Sequence, residues 1–205
     1  MVEEAAEPRR RAGRLASSGA IRDASATLFL EKGYQGTSMG DIAAAAQVSK
    51  QTIYTHFANK EELFADLVLG NADRVDGFIA GLSVGPDVEE GLVRIARDYV
   101  HFVSRPDVLR LRRLVIAEAG RFPAIARAYY ERVPQRVIAA FAHLFGQLSQ
   151  DGRLHVDDAN AAAEHFVWLA LGVPLDRGMF ISAPQDDELN HIADSAVKVF
   201  LSAYR

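Results

Sequence analysis

An all-α fold is expected from three observations. Apolar residues recur every three to four positions along most of the chain, alternating β-branched runs are absent, and turn-forming clusters such as "SVGPD", "SRPD" and "SAPQDD" punctuate the periodic stretches. About nine helices follow in order. The first places Ile21, Ala24, Leu28 and Phe29 on one face and stops at Lys32-Gly33, where the glycine suits a C-cap. Thr37 and Ser38 can cap the second, whose inner face is Met39, Ile42, Ala43 and Ala46. After "QVS", Ser49 can cap a short third helix. Asn59 is a good N-cap for the fourth, and Glu61 and Glu62 suit the positive end of its dipole. Leu63, Phe64, Leu67, Val68, Val75, Phe78, Ile79 and Leu82 carry that period to about residue 82. Val88, Leu92, Ile95, Tyr99 and Phe102 mark a fifth helix, and a sixth runs roughly from Asp107 to Ala119, before "GRFP". The seventh runs from Pro123 to about Gln150 with a bend at Pro134, which cannot donate the interior hydrogen bond. Following the loop "QDGRLHVDD", an eighth begins near Asp157 or Asp158 and is disturbed at Gly172 and Pro174. A ninth carries Leu189, Ile192, Ala196 and Phe200 on one face.

With 205 residues, nearly half of them apolar, the chain can build a sizeable core. The absence of cysteine excludes disulfides and thiolate metal sites. The N-terminus is charged and lacks the apolar segment of a secretory signal, and "FVWLALGVPL" is too short to span a bilayer. A soluble, cytoplasmic protein with no membrane partner is expected. Net charge is −4 but unevenly spread: residues 1–60 carry +2 and the remainder −6. That asymmetry points the N-terminal part toward a polyanion.

The stretch "SKQTIYTHFANKEELF" crowds Lys50, Gln51, Thr52, Tyr54 and His56 into less than two helical turns. Ile53 and Phe57 lie four apart and turn together toward the body, leaving the polar groups outward. With the preceding short helix, where Ala43 to Ala46 are small enough for a close crossing, this forms a helix-turn-helix candidate. All five polar groups can donate hydrogen bonds, and glutamine can pair with both edge groups of adenine in the major groove. The competing reading is an ordinary solvated face, against which an exposed tyrosine among donors weighs.

"GYQGTSMGDIAAAAQVSKQTIYTHFANKEELF" resembles the DNA-binding segment of the TetR family of transcriptional repressors. The matching features are Gly-Tyr, a threonine before the second helix, Ile-Ala, Val-Ser, Ile-Tyr, His, Phe and Lys-Glu-x-Leu. The resemblance implies nine or ten helices, the first three binding DNA, and a larger C-terminal half that dimerises and binds a ligand. It assigns Thr37, Tyr54, His56 and Lys60 to phosphate contacts, and Lys50, Gln51 and Thr52 to base reading; Ser38 belongs to the same surface. Phosphate contacts position such a protein and base contacts select sequence. Two departures stand out. Gln47 replaces the usual glycine of the turn, a cost of about 1 kcal/mol if φ is positive there, and Gln51 replaces a small residue. The basic stretch Arg9 to Arg14 can follow a phosphate track, enter a minor groove, or remain a solvated tail. The implied organisation is a flexible basic tail over 1–14, a helix-turn-helix domain over 15–60, and a ligand-binding and dimerisation domain over 61–205.

Residues from about 109 to 180 look similar to the C-terminal domain of AefR-like TetR regulators, which implies a repressor responding to a small, largely apolar effector. Phe78, Phe102, Ile116, Phe141, His165 and Trp168 can surround a pocket or form ordinary core. His165 and Trp168 bring polar edges to one helix face, and Arg113 can meet an anionic ligand or pair with a glutamate. Phe166, Ala170 and Val173 on the eighth helix, with Ile192, Ala196, Val199 and Phe200 on the ninth, make apolar stripes suited to a homodimer. The expected mechanism is release of a double-stranded DNA operator, an inverted repeat, when an effector favours a state with the fourth helix shifted. A helical interaction module without a DNA role would account for residues 85–205 but not for 33–63. No cofactor is called for, and the chain does not read as an enzyme. A glycine-rich phosphate loop and His-x-x-x-His are missing. Glu188-x-x-His191 is one metal-type pair where a di-iron site needs two.

Overall fold

The computed structural model describes residues 6–70 and 72–205, with side chains from Ala16 onward apart from Ala72 and Asp73. Among the described residues every regular element is a helix. The chain divides into two units, one of Met1–Asn71 with Leu114–Ala126 and one of Ala72–Arg113 with Arg127–Arg205.

The first unit is built on α1 (Ala6–Lys32), α2 (Met39–Ala45), α3 (Lys50–His56) and α4 (Lys60–Gly70). The expected flexible tail is helical from Ala6, with Pro8 in the first turn, where its missing N–H is not needed. The side chains of Arg9 to Arg14 lie outside the described residues. Gly33 ends α1 with φ +73°, its N–H returning to the Phe29 carbonyl at 3.0 Å. Ser38 caps α2 in a reciprocal box with Asp41, and those bonds hold the Asp41 carboxyl below its usual range. Ser49 caps α3 by accepting from Thr52 N at 3.0 Å. Short helices need such help, because seven residues do not hold a helix by propensity alone. Ile21, Phe29, Ile42, Ile53, Leu63 and Phe64 supply the core of this unit. The expected boundary at residue 60 falls inside it, since α4 packs on α1 and is tied there by the two-pronged Arg22–Asp66 pair at 2.8 and 3.2 Å.

The second unit holds α5 (Ala72–Ala80), α6 (Val88–Ser104), α9 (Pro134–Gln150), α10 (Ala159–Phe180) and α11 (Asp186–Tyr204). It also takes residues up to Arg113 of α7 (Pro106–Glu118) and those from Arg127 of α8 (Pro123–Arg132). Helix α6 packs mainly on α11, and α10 on α9 and α11. An aromatic chain runs through the middle: Tyr99 to Phe141 at 5.6 Å, Phe141 to Phe166 at 5.0 Å, Phe166 to Phe200 at 5.2 Å. Such offset and edge-on pairs add to the burial of their area. The seventh helix expected from the sequence is two, broken at Val133, because Pro134 takes the first position of α9, where no donor is required. Conversely α10 runs unbroken past Gly172 and Pro174, held by burial of Pro174 and its neighbours.

The turn between α2 and α3 contains the only non-glycine residue with positive φ among those described, Gln47 at +55°. It sits at the hinge of a closed turn: its N–H bonds to Ala44 O at 3.2 Å, and Val48 N–H bonds to Ala43 O at 3.0 Å. The backbone is therefore one that glycine adopts without its Cβ penalty. Gln47→Gly is expected to stabilise the protein by about 0.5–1 kcal/mol, part of the gain being lost to the freer unfolded chain. Urea or thermal unfolding measures this; an unchanged or lowered stability would show that the turn carries no strain.

Candidate functional site

Helix α3 is fixed to its unit by one flank. Ile53 and Phe57 are buried, and the Arg22 guanidinium lies 5.8 Å from the Phe57 ring centre. Lys50, Gln51 and Tyr54 are exposed on the other flank, Tyr54 at 52%. Thr52 and His56 are half-buried, and Thr52 Oγ1 lies 2.8 Å from Ser49 Oγ, so its hydroxyl helps close the N-terminus of α3. Thr55, which the sequence reading passed over, also faces outward, its hydroxyl donating to Gln51 O. Ser38 is exposed, with Oγ 2.6 Å from Asp41.

Two residues assigned to phosphates are engaged within the protein. Thr37 is 1% exposed, and its hydroxyl donates to the carbonyls of Gly33 (2.9 Å) and Leu28 (3.2 Å). It closes the end of α1 and cannot offer that hydroxyl to DNA. Lys60 donates to Tyr34 O and Thr37 O, both at 2.8 Å, and its ammonium sits 4.1 Å from the Tyr34 ring centre. Burial, then the nearby Arg121 cation, lowers its pKa. Lys60 thus clamps the α1–α2 turn to the start of α4. Tyr34 is the centre of this cluster: it packs on Phe29, Phe64 and Phe122, and Arg121 covers its ring at 5.2 Å. Burial raises the Tyr34 phenol above its ordinary pKa. Arg121 and Phe122 come from far along the chain, and nothing in their local sequence announces the contact.

In the second unit a cavity of about 330 Å³ is lined by residues of α5 to α10. Of the expected pocket residues, Phe102 and Trp168 line it. Phe78 and Phe141 pack behind it in the aromatic core, 6.3 Å apart. Ile116 is 59% exposed and belongs to the other unit. Arg113 donates to Gly178 O at 2.6 Å instead of meeting a ligand or a glutamate, and the cation in the cavity wall is its neighbour Arg112. His165 is on the surface, its Nδ1 2.6 Å from the Tyr204 hydroxyl.

The expected dimer stripes divide in the same way. Phe166, Ala170, Ala196 and Phe200 are buried in the core of their own unit, because α10 and α11 pack on α6 and α9 through these residues. Val173 and Val199 are exposed, at 61% and 51%, and Ile192 is half-buried. Trp168 and Leu169 share a shallow surface hollow with Val199. The Glu188 carboxylate is taken by Arg177 at 2.8 Å, and among the described residues no cluster of three or more His, Asp or Glu is placed to hold a metal. Among the same residues no helix is long and apolar enough to cross a membrane.

The comparison with known proteins matches both parts of the chain. Residues 21–67 fit the model of bacterial regulatory proteins of the tetR family, and residues 90–205 fit the AefR-like transcriptional repressor C-terminal domain. The chain belongs to the TetR family of transcriptional regulators. This TetR-family chain is 36% identical to a TetR-family transcriptional regulator from Mesorhizobium loti of known structure, with a TM-score of 0.86 over 93% of this chain and 98% of that one. It is 31% identical to the flavonoid-responsive regulator FrrA, with a TM-score of 0.77 over 92% and 97% of the two chains. Among curated proteins it is 35% identical over 104 residues to IcaR, the negative transcriptional regulator of the biofilm operon icaADBC in Staphylococcus epidermidis. That match covers 43% of this chain and 55% of IcaR, so the chain spans about half the length of this relative.

Lys60→Met removes a charged donor from two carbonyls and is expected to lower the unfolding free energy by roughly 1.5–3 kcal/mol in urea. A variant as stable as the parent would return Lys60 to the phosphate-binding role.

Proposed function

We propose that this TetR-family protein is a sequence-specific DNA-binding repressor that acts as a homodimer on an inverted-repeat operator in the cytoplasm, and that a small, largely apolar effector releases it. The observation that carries this is the two-sided build of α3: Ile53 and Phe57 hold one flank, and Lys50, Gln51 and Tyr54 stand free on the other. In this reading Gln51 and Lys50 address base edges, while Tyr54 and His56 address phosphates. Thr52 contributes what its half-buried hydroxyl leaves available. Two such helices must lie about 34–36 Å apart, or a multiple of that, to enter successive major grooves.

The dimer surface in this proposal is centred on Trp168, Leu169, Val173 and Val199. With Phe180 at the end of α10, these are the large apolar residues of α10 and α11 left exposed, and Leu169 and Val173 are four apart on one helix face. The cavity beside Phe102 and Trp168 is the effector site, its volume at the low end for small-molecule pockets. The likeness to a flavonoid-responsive regulator supports an effector of small, apolar kind. An effector acts only through its differing affinity for the DNA-competent and incompetent states, so a ten- to hundredfold loss of operator affinity needs about 1.4–3 kcal/mol of coupling.

Selection from a random duplex library is expected to recover an inverted repeat. On that duplex Tyr54→Ala should bind roughly tenfold or more weakly while remaining folded, and Gln51→Ala should relax base choice in each half-site by about 1–3 kcal/mol. Affinity should fall steeply with salt. A library without an enriched sequence, or Tyr54→Ala binding like the parent, would remove the proposal. Val173→Glu combined with Val199→Glu is expected to give a monomer in sedimentation, with the fold retained by circular dichroism. A dimer that survives both charges would place the interface elsewhere.

A further inference from the structure

The cavity of the second unit is walled mostly by carbon, and three of its polar groups lie close enough to act on one another's charge. Tyr99 on α6, Arg112 on α7 and Tyr129 on α8 all line it. Both tyrosines are buried. Burial pushes both phenols above their ordinary pKa, and the nearby Arg112 charge pulls them part of the way back. Among the described residues, neither hydroxyl has a hydrogen-bond partner in the protein and Arg112 has no carboxylate partner. Several other arginines of the unit are occupied: Arg105 pairs with Asp107, Arg97 with Asp194, Arg177 with Glu188, and Arg113 with a carbonyl; what sets Arg112 apart is its place in the cavity wall. Glu164 also lines the cavity, at its exposed rim, without pairing to Arg112.

A guanidinium offers donors only, and a phenol beside it has its proton free to donate. Where three such donors share one wall and no carboxylate pairs with the guanidinium, an anion satisfies them. A carboxylate accepts from arginine with both oxygens and keeps lone pairs for the two phenols. We propose that the cavity binds a small apolar monocarboxylate, its carboxylate held by Arg112, Tyr99 and Tyr129 and its hydrocarbon body lying against Phe102, Val137 and Trp168. Glu164 at the rim disfavours the reverse orientation, in which two carboxylates would meet. This rests on the reading of the cavity as the effector site.

The test titrates the full chain by calorimetry with naphthoate, naphthol, octanoate and octanol. Emission of Trp168, the chain's one tryptophan, is read in parallel with the two aliphatic probes. Each carboxylate is expected to bind about tenfold or more tightly than its alcohol, as befits a hydrogen-bonded ion. Arg112→Met should abolish that preference by weakening only the carboxylates, Arg112→Lys should keep part of it, and Tyr99→Phe should weaken the carboxylates roughly fivefold. Tighter binding of naphthoate than octanoate marks an aromatic acid as the natural class, and the reverse marks an aliphatic one. Alcohols binding as tightly as acids, no probe binding, or Arg112→Met weakening all four probes alike would overturn the proposal. Should Arg112→Met fail to fold, the acid-over-alcohol preference of the parent and the response of Tyr99→Phe decide. Carboxylate binding that leaves operator affinity unchanged would uphold the site and count against its role as effector switch.

Discussion

A seven-residue helix cannot hold itself together, and α3 exists because Ile53 and Phe57 are buried and Ser49 caps its start. Everything its other flank can do depends on that one-sided anchorage. What prepares it is local, a cap three residues away, two apolar side chains four apart and a closed turn at Gln47, and what receives it is α1 and α2. Rigidity of the mount then turns a few exposed donors into a surface with fixed geometry, which is what separates a reading head from a solvated stretch.

This local origin explains what the sequence made legible. Caps, glycine stops and the Ile53–Phe57 spacing are written within a few positions of where they act, and they are found in place. The fate of Thr37 and Lys60 is not written that way. Both are polar residues beside a candidate DNA surface, and only the path of the α1–α2 turn decides that their donors go to backbone carbonyls. The same holds for Arg121 and Phe122, which reach Tyr34 from far along the chain. Resemblance to a family carried the fold correctly and gave no sign of these internal contacts, because a motif records residue type and not the partner each side chain finds.

In the larger unit the limit is different. Helix α10 is apolar on most of its faces, so periodicity cannot say which face meets the protein's own core and which meets something else. Phe166 and Ala170 went inward, while Trp168, Leu169 and Val173 stayed out. Arg113 and Arg112 show the same difficulty at the scale of one residue: adjacent on a helix, they point in different directions, one to a carbonyl and one to a cavity. The nine expected helices differ from the observed elements at Pro134, where the expected bend is a break, and in the expected fourth helix, which corresponds to α4 and α5.

That break has a further effect on the chemistry around it. Pro134 has no N–H, so the carbonyl of Tyr130, one turn back, loses the donor that a continuous helix would have given it. Tyr130, Val133 and Pro134 all border the cavity. The C-terminal end of α8, with its partial negative charge, therefore borders the same cavity as the exposed Tyr130 and Glu164, and is opposite in sign to the half-buried Arg112. Its wall therefore carries both signs, a carboxylate and a helix end on one hand and a guanidinium on the other. A molecule with unlike ends would find those two ends unequally received there.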